Sequence, residues 1–578
     1  MILNRRARKC LALACIVTAL GATVPRTASA TDWPQWGFNA RHSSSNTAET
    51  TINRDNVARL TLKYSVPVVA PLAIDAPPVY ASAIQTLSGT KDLLFVNATD
   101  GADDFVSTTG SLIAIDAADG SIVWVQTTSG SSAHAASSPA IGPDRAYVYS
   151  YGLDGYVHKY GIGDGVETIT QGPVGWPALV TLKPDVEKVA GGLTIVESGG
   201  AAYVVAITDA YFGDGGDYQG HIVTIDLSTG AEHVFNAMCS DVPAHLGYGT
   251  CSDVGGGIWG RGGATFDAAT NRLYVATGNG HFNANAGGHD WGDSVLALAP
   301  DGSSVDGLPI DSYTPTNYDD LEAVDGDLGL TSPAILRTPP QSVVAHVGLQ
   351  IGKTGTGYLI DLDAMSGTGL PGGVGGELQT INTGGGTMSQ PTVWIDSDDG
   401  STWVYIDNTA WQLTLDGAGM PILEERWTEF FGNGLPIVAN DVLYSGINAL
   451  DPRTGKPLWL YGGGDTHWAS PIVIDGAIYL ANYGYLSKWG LPATHIVTPV
   501  VNDPAEGSID PADPQSVFEG DVARFTVTPI PPYEIEAVTG CGVSYDGSSW
   551  VTMPVKFDCT VTATFFLDAI FADGFDDS

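Results

Sequence analysis

Positive charge is what this chain has least of. Its 578 residues carry 24 Lys and Arg against 64 Asp and Glu, a net charge of −40. Phosphate backbones and anionic lipid surfaces would repel such a chain, which excludes nucleic acid as a partner. Cysteine is scarce too, at six residues, with no C-x-x-C and no adjacent pair. That excludes a zinc ribbon and, with no C-x-x-C-H, an attached c-type haem. No G-x-S-x-G elbow occurs, and nothing suggests a Ser-His-Asp triad. "GLQIGKT" at Gly348 misses the phosphate loop, because three residues separate its glycines where four are needed, and a strand pattern follows. No run beyond the N-terminus reaches about 18 apolar residues, so no helical membrane span is expected. Nor does any segment hold a helical period.

What is abundant is apolar sequence cut by turn formers. Hydrophobic residues make up 43% of the chain, beside 73 Gly and 34 Pro. Many short strands suit that mixture better than long helices. The first 30 residues read as a signal peptide: Arg5, Arg6, Arg8 and Lys9, then an apolar stretch Cys10–Val24, then Ala28-Ser29-Ala30. Removing it leaves a charge of about −45 on a chain that begins at Thr31, exported to the periplasm, cell surface or medium of a Gram-negative bacterium. Four cysteines then remain, and their local spacing pairs Cys239 with Cys251 and Cys541 with Cys559.

A unit repeats along most of the chain. "GSLIAIDAADGSIVW" ends at Trp124 and "INALDPRTGKPLW" at Trp459, each an apolar strand, an Asp, a Gly-closed turn and a strand reaching Trp. Looser copies give eight marks, at Asp116, Gly161, Asp226, Ala299, Asp361, Asp416, Asp451 and Gly490. Their mean spacing, about 53 residues, fits one four-stranded sheet per unit. A lone sheet buries one face and leaves edges open, whereas sheets set radially in a ring bury both faces. The expected fold is therefore all-β: an eight-bladed β-propeller over 31–492, or seven-bladed if an outer copy is no blade. The strand-like "RLTLKYSV" near Leu60 would close the ring against the last blade. At 493–567 the repeat gives way to clean alternation, a small disulfide-bonded antiparallel β-module. Residues 568–578 form an acidic tail.

The Asp-x-x-Thr-Gly-x-x-x-Trp unit and the opening "DWPQWGFNARHSSSNTAETTINRDNVARL" resemble the pyrroloquinoline quinone (PQQ) propellers. "GGGIWGRGGATFDAATNRLYVATGNG" at Gly255–Gly280 resembles the quinoprotein alcohol dehydrogenases and polyvinyl-alcohol-dehydrogenase-like proteins in particular. That resemblance implies a PQQ- and calcium-dependent oxidoreductase acting on a small-molecule or polymeric alcohol. Trp259 would stack on the quinone, Asn279 would bind calcium, Asp325 or Asp327 would be the base, and Lys353 would meet the quinone oxygens. For the second calcium ligand the nearest match is Asp217, a shorter carboxylate than the family's Glu. The family's adjacent-cysteine disulfide is missing here, and the repeat also serves outer-membrane assembly scaffolds. A non-catalytic propeller with cell-surface or assembly partners is the alternative. His281, His289 and Asp290 could ligate a metal, but their spacing fits no standard pattern. The C-terminal module resembles a β-repeat of bacterial surface and secreted proteins.

Overall fold

The computed structural model describes residues 31–567 except 69–73, 75, 101–107, 131–136, 173, 211–213, 385–389, 430–433, 462–468 and 483. The expected signal peptide and acidic tail lie outside the described residues. Between Thr61 and Gly490 the strands form eight antiparallel sheets of four strands, one with an added parallel strand, and a two-stranded ribbon of Glu187–Lys188 with Asp209–Ala210, among the described residues. Each of the eight sequence marks falls at or just after the end of a sheet's third strand.

The Asp of the repeat explains the turn. The side chains of Asp116, Asp226, Asp361, Asp416 and Asp451 each accept the backbone N–H two residues on, at 2.8–3.0 Å. This local bond bends the chain before the fourth strand. In four copies a glycine at positive φ then closes the turn on the Asp carbonyl: Gly120, Gly230, Gly419 and Gly455. Such glycines also let one sheet approach the next. A Cβ on Gly455 would sit 2.7 Å from the ring of Trp427, and one on Gly165 2.8 Å from Trp124, each Trp belonging to the preceding sheet.

Apolar side chains fill the wedges between sheets, one cluster per neighbouring pair. Leu93, Phe95 and Trp124 meet Val148 and Tyr160; Tyr149 and Val157 meet Val204 and Val223; the succession continues to Trp403 and Tyr405, which meet Leu443. A last cluster holds Leu94, Tyr444 and Ile478 together and so joins the end of the series to its start. The ring is therefore closed, and the fold is a β-propeller. Covalently it closes through the N-terminus: Thr61–Pro67 is the fourth strand of the last sheet, antiparallel to Tyr485–Gly490.

The segment before that strand does more than the sequence suggested. First strands are buried and fourth strands largely exposed, so the first strand is the inner one. Residues 33–46 reach the inner strands of seven sheets through hydrogen bonds at Tyr80, Ile141, Ile195, Phe266, Val393, Val438 and Val473. His42, buried, faces the carbonyls of Trp36 and Ala264. Burial lowers its pKa, so it stays neutral.

After Gly490 come two four-stranded sheets with a core of their own around Phe525, Val561 and Phe565. Both expected disulfides are present, Cys239–Cys251 and Cys541–Cys559. Arg59 ties this module to the ring, pairing with Asp521 and lying over Phe518. One short α-helix, Tyr318–Ala323, interrupts the strands, too brief to leave a periodic signal. No helix among the described residues is long and apolar enough to cross a membrane.

The sheet-to-sheet contact gives a direct expectation. Trp124→Ala should empty the seat on Gly165 and lower unfolding free energy by about 3–5 kcal/mol, read from the urea midpoint. A loss below about 1 kcal/mol would mean the ring does not lean on this contact.

Candidate functional site

Second strands of neighbouring sheets run the same way, so their C-terminal ends gather at one face of the ring. Three consecutive sheets place polar residues there. Asp209 follows Ala201–Ile207, Asn279 follows Arg272–Ala276, and Lys353 follows Val347–Ile351. Asp325 and Asp327 enter the same face just before the inner strand Ala334–Leu336.

Asn279 and Asp327 are locked to each other. The Asn279 N–H donates to Asp327 Oδ1 at 2.7 Å, and the Asp327 N–H donates to Asn279 Oδ1 at 3.0 Å. Lys353 Nζ lies 2.7 Å from Asp325 Oδ1 and 3.4 Å from Asp327 Oδ2, and its own N–H donates to the Asp327 carbonyl. Asp327 is buried, whereas Asp325 is exposed. Trp259 is half-buried on a segment that runs directly beside this pair. Gly256 N–H donates to the Asn279 carbonyl, and Gly278 N–H to the Gly257 carbonyl. Four of the expected residues, Asn279, Asp325, Asp327 and Lys353, therefore form one contact group, with Trp259 on its flank.

Asp217 does not join them. Its carboxylate is taken by the Gly249 N–H at 2.6 Å and the Gln219 amide at 2.9 Å, away from Asn279. Asp209 stands at the site instead. Glycines make this possible: a Cβ on Gly257 would collide with Asp209 Oδ1, and one on Gly278 with Asp327 Oδ1. Asp293 is the other unanticipated member. It is 1% exposed, accepts the Leu328 N–H at 2.8 Å through Oδ1, and leaves Oδ2 buried without a partner. It ends the loop that carries His281, His289 and Asp290. There His281 Nδ1 sits 3.4 Å from Asp290 and 3.6 Å from Asp253, apart from the Asn279 pair. A sequence signal for Asp209 and Asp293 did exist, since each is an acid at the edge of a buried strand, but so are many turn residues.

The electrostatics show what the group is short of. Burial pushes the Asp209 carboxyl up to about 7, opposed by Lys188 and reinforced by Asp327 and Asp214. Burial likewise pushes Asp293 up to about 7, with Asp327 and Glu322 adding to it against the Leu328 hydrogen bond. Asp327 is also raised, by burial first, despite the Asn279 N–H and Lys353. Asp327 and Asp293 are buried and Asp209 is half-buried, and Lys353 beside Asp327 and Lys188 beside Asp209 offset only part of that cost. Desolvated like charges of this kind are relieved by a bound cation, and carboxylate and amide oxygens are the donors a hard cation takes. Calcium fits this donor set. For a flat anionic quinone the chain offers the half-buried Trp259 face and the Lys353 ammonium.

The sign of the pH dependence follows. With folded pKa values above the ordinary carboxylate value of 3.8, Asp209 and Asp293 keep protons the unfolded chain has released. Stability without cation should therefore fall as pH rises from about 4 to about 7. Asp293→Asn should flatten that fall by roughly 1–3 kcal/mol, measured by urea unfolding in chelator at several pH values. Parallel profiles for variant and wild type would contradict it.

No protein-family model matches the chain, and no curated protein sequence does. Solved structures do. A europium-containing methanol dehydrogenase superposes with a TM-score of 0.54 at 15% identity, covering 80% of this chain and 98% of its own. The quinohemoprotein alcohol dehydrogenase from Comamonas testosteroni gives 0.51 at 16% identity, covering 82% and 84%. The chain therefore has the PQQ-repeat β-propeller fold that the sequence motifs indicated.

Proposed function

We propose that the chain is an exported quinoprotein oxidoreductase that oxidises an alcohol with PQQ and a calcium ion. The observation that carries this reading is the reciprocal Asn279–Asp327 pair with Lys353 beside it, set among carboxyls whose pKa values burial raises. Asn279, Asp209 and Asp327 would hold the cation, with Asp293 behind them. Trp259 and Lys353 would hold the quinone, which when bound accepts hydride.

The chain's own residues would do the rest. Asp327, buried and held by the Asn279 N–H, accepts the alcohol proton as general base. Burial lowers the Lys353 pKa, but Asp325 and Asp327 outweigh it and raise the value overall. Lys353 therefore stays cationic and stabilises negative charge that develops next to it. Tyr218, whose hydroxyl donates to Asp214 at 2.8 Å, abuts Gly257 and walls the acids off on the far side. The two disulfides suit an oxidising compartment outside the cytoplasm.

The test is reconstitution. The purified chain with PQQ and Ca²⁺, or with Eu³⁺ in a parallel arm, should reduce an artificial electron acceptor when alcohol is added. Asp327→Asn should cut kcat by about 10² or more while quinone still binds. Failure to bind PQQ at micromolar concentration with either cation would sink the reading and leave a binding or assembly propeller.

A further inference from the structure

The loop between Cys239 and Cys251 is built against the back of the Asn279 turn. It leaves the outer strand Glu232–Asn236 through Ala237 and Met238, both fully buried. The Met238 methyl fills space that two glycines leave free. A Cβ on Gly256 would lie 2.8 Å from Met238 Cε, and one on Gly280 3.2 Å from it. These glycines are no bystanders. Gly256 N–H donates to the Asn279 carbonyl at 2.6 Å, and Gly255 bridges Gly280. Met238 is therefore a wedge between the segment that carries Trp259 and the turn that carries Asn279.

Hydrogen bonds hold the backbone on either side of the wedge, Ala237 N–H to the Gly220 carbonyl, Trp291 N–H to the Ala237 carbonyl and Cys239 N–H to Asp290 Oδ1, and the disulfide cross-links it to Cys251. Met238 belongs to a cluster of only four buried apolar residues, with Ala237, Leu246 and Cys251, and Cys239 packs on its edge. Two of the cluster's contributors are the loop's own closing ends. The same loop also secures the neighbouring segment, since Gly249 N–H holds the Asp217 carboxylate and the Asp253 carbonyl accepts from the Gln219 amide. A cross-link over a short loop acts by denying it the open conformations that would pull Met238 out.

We propose that the Cys239–Cys251 disulfide and Met238 are positioning residues for Asn279, so that opening this disulfide loosens the Asn279 turn and weakens cation binding. The cation part rests on the function proposed above; the loosening of the turn does not. Opening takes two electrons and two protons from a dithiol, which becomes a disulfide while Cys239 and Cys251 become thiols. Metal affinity commonly drops about 10- to 100-fold when a residue that orients a ligand is lost.

Three amides report on the turn, each hydrogen-bonded: Gly278 to the Gly257 carbonyl, Asn279 to Asp327, and Gly280 to Glu322. Hydrogen–deuterium exchange of the full chain should show these amides opening about tenfold faster in the Cys239→Ser/Cys251→Ser double variant, and Ca²⁺ affinity by calorimetry falling about tenfold. Cys541→Ser/Cys559→Ser should match wild type in both. Met238→Ala, with the disulfide intact, should speed the same amides, and Met238→Leu should restore them; this pair decides the matter if the double cysteine variant does not fold. Unchanged exchange at Gly278–Gly280 in the double variant, or in Met238→Ala, overturns the proposal. If wild type binds no Ca²⁺, the proposed function falls, and the exchange comparison still decides this one.

Discussion

The contact on which the ring depends is the one that joins its ends. A sheet in a propeller has two faces to bury and only its neighbours to bury them against. Thr61–Pro67 supplies the outer strand that the last sheet lacks, so sheets that are far apart in the chain become neighbours in space. The cluster of Leu94, Tyr444 and Ile478 then completes the series of wedges. Residues 33–46 work from the inside, bonding to seven inner strands. Rim strand and inner segment belong to one continuous stretch of chain.

Closure is also what assembles the site. Asp209, Asn279, Asp327 and Lys353 come from three consecutive sheets, and only the fixed angle between sheets brings their strand ends together. The result is a place where neighbouring carboxyls are desolvated. Gly257 and Gly278 provide the clearance, burial provides the cost, and Lys353 offsets only part of it.

Much of this was legible in the sequence, for definite reasons. The repeat marks fell on the ends of third strands because an Asp side chain and a following glycine specify that turn locally, whatever the tertiary surroundings. Asn279 was proposed because it sits inside the Gly255–Gly280 phrase with Trp259, whereas Asp327 and Lys353 came from resemblance of two later stretches. Asp217 was misplaced because a carboxylate in the right loop can still be captured by closer donors, here Gly249 and Gln219. Asp209 and Asp293 escaped notice because nothing in a strand-end Asp distinguishes a solvated turn from a buried oxygen without a partner. That distinction is a property of the three-dimensional neighbourhood. The N-terminal segment's bonds to seven sheets were likewise invisible, being mostly backbone to backbone.

The closing strand also fixes an order of events. Thr61 meets Gly490, 429 positions further along the chain. The first part of the ring to leave the ribosome must therefore wait for nearly the last before it has a partner. Individual sheets are hairpin-local and can form early, and the inner segment can dock on them in turn, but the rim strand has nowhere to dock until the eighth sheet exists. Such a contact is slow to find, and it leaves an open-ended, edge-exposed arc in the meantime.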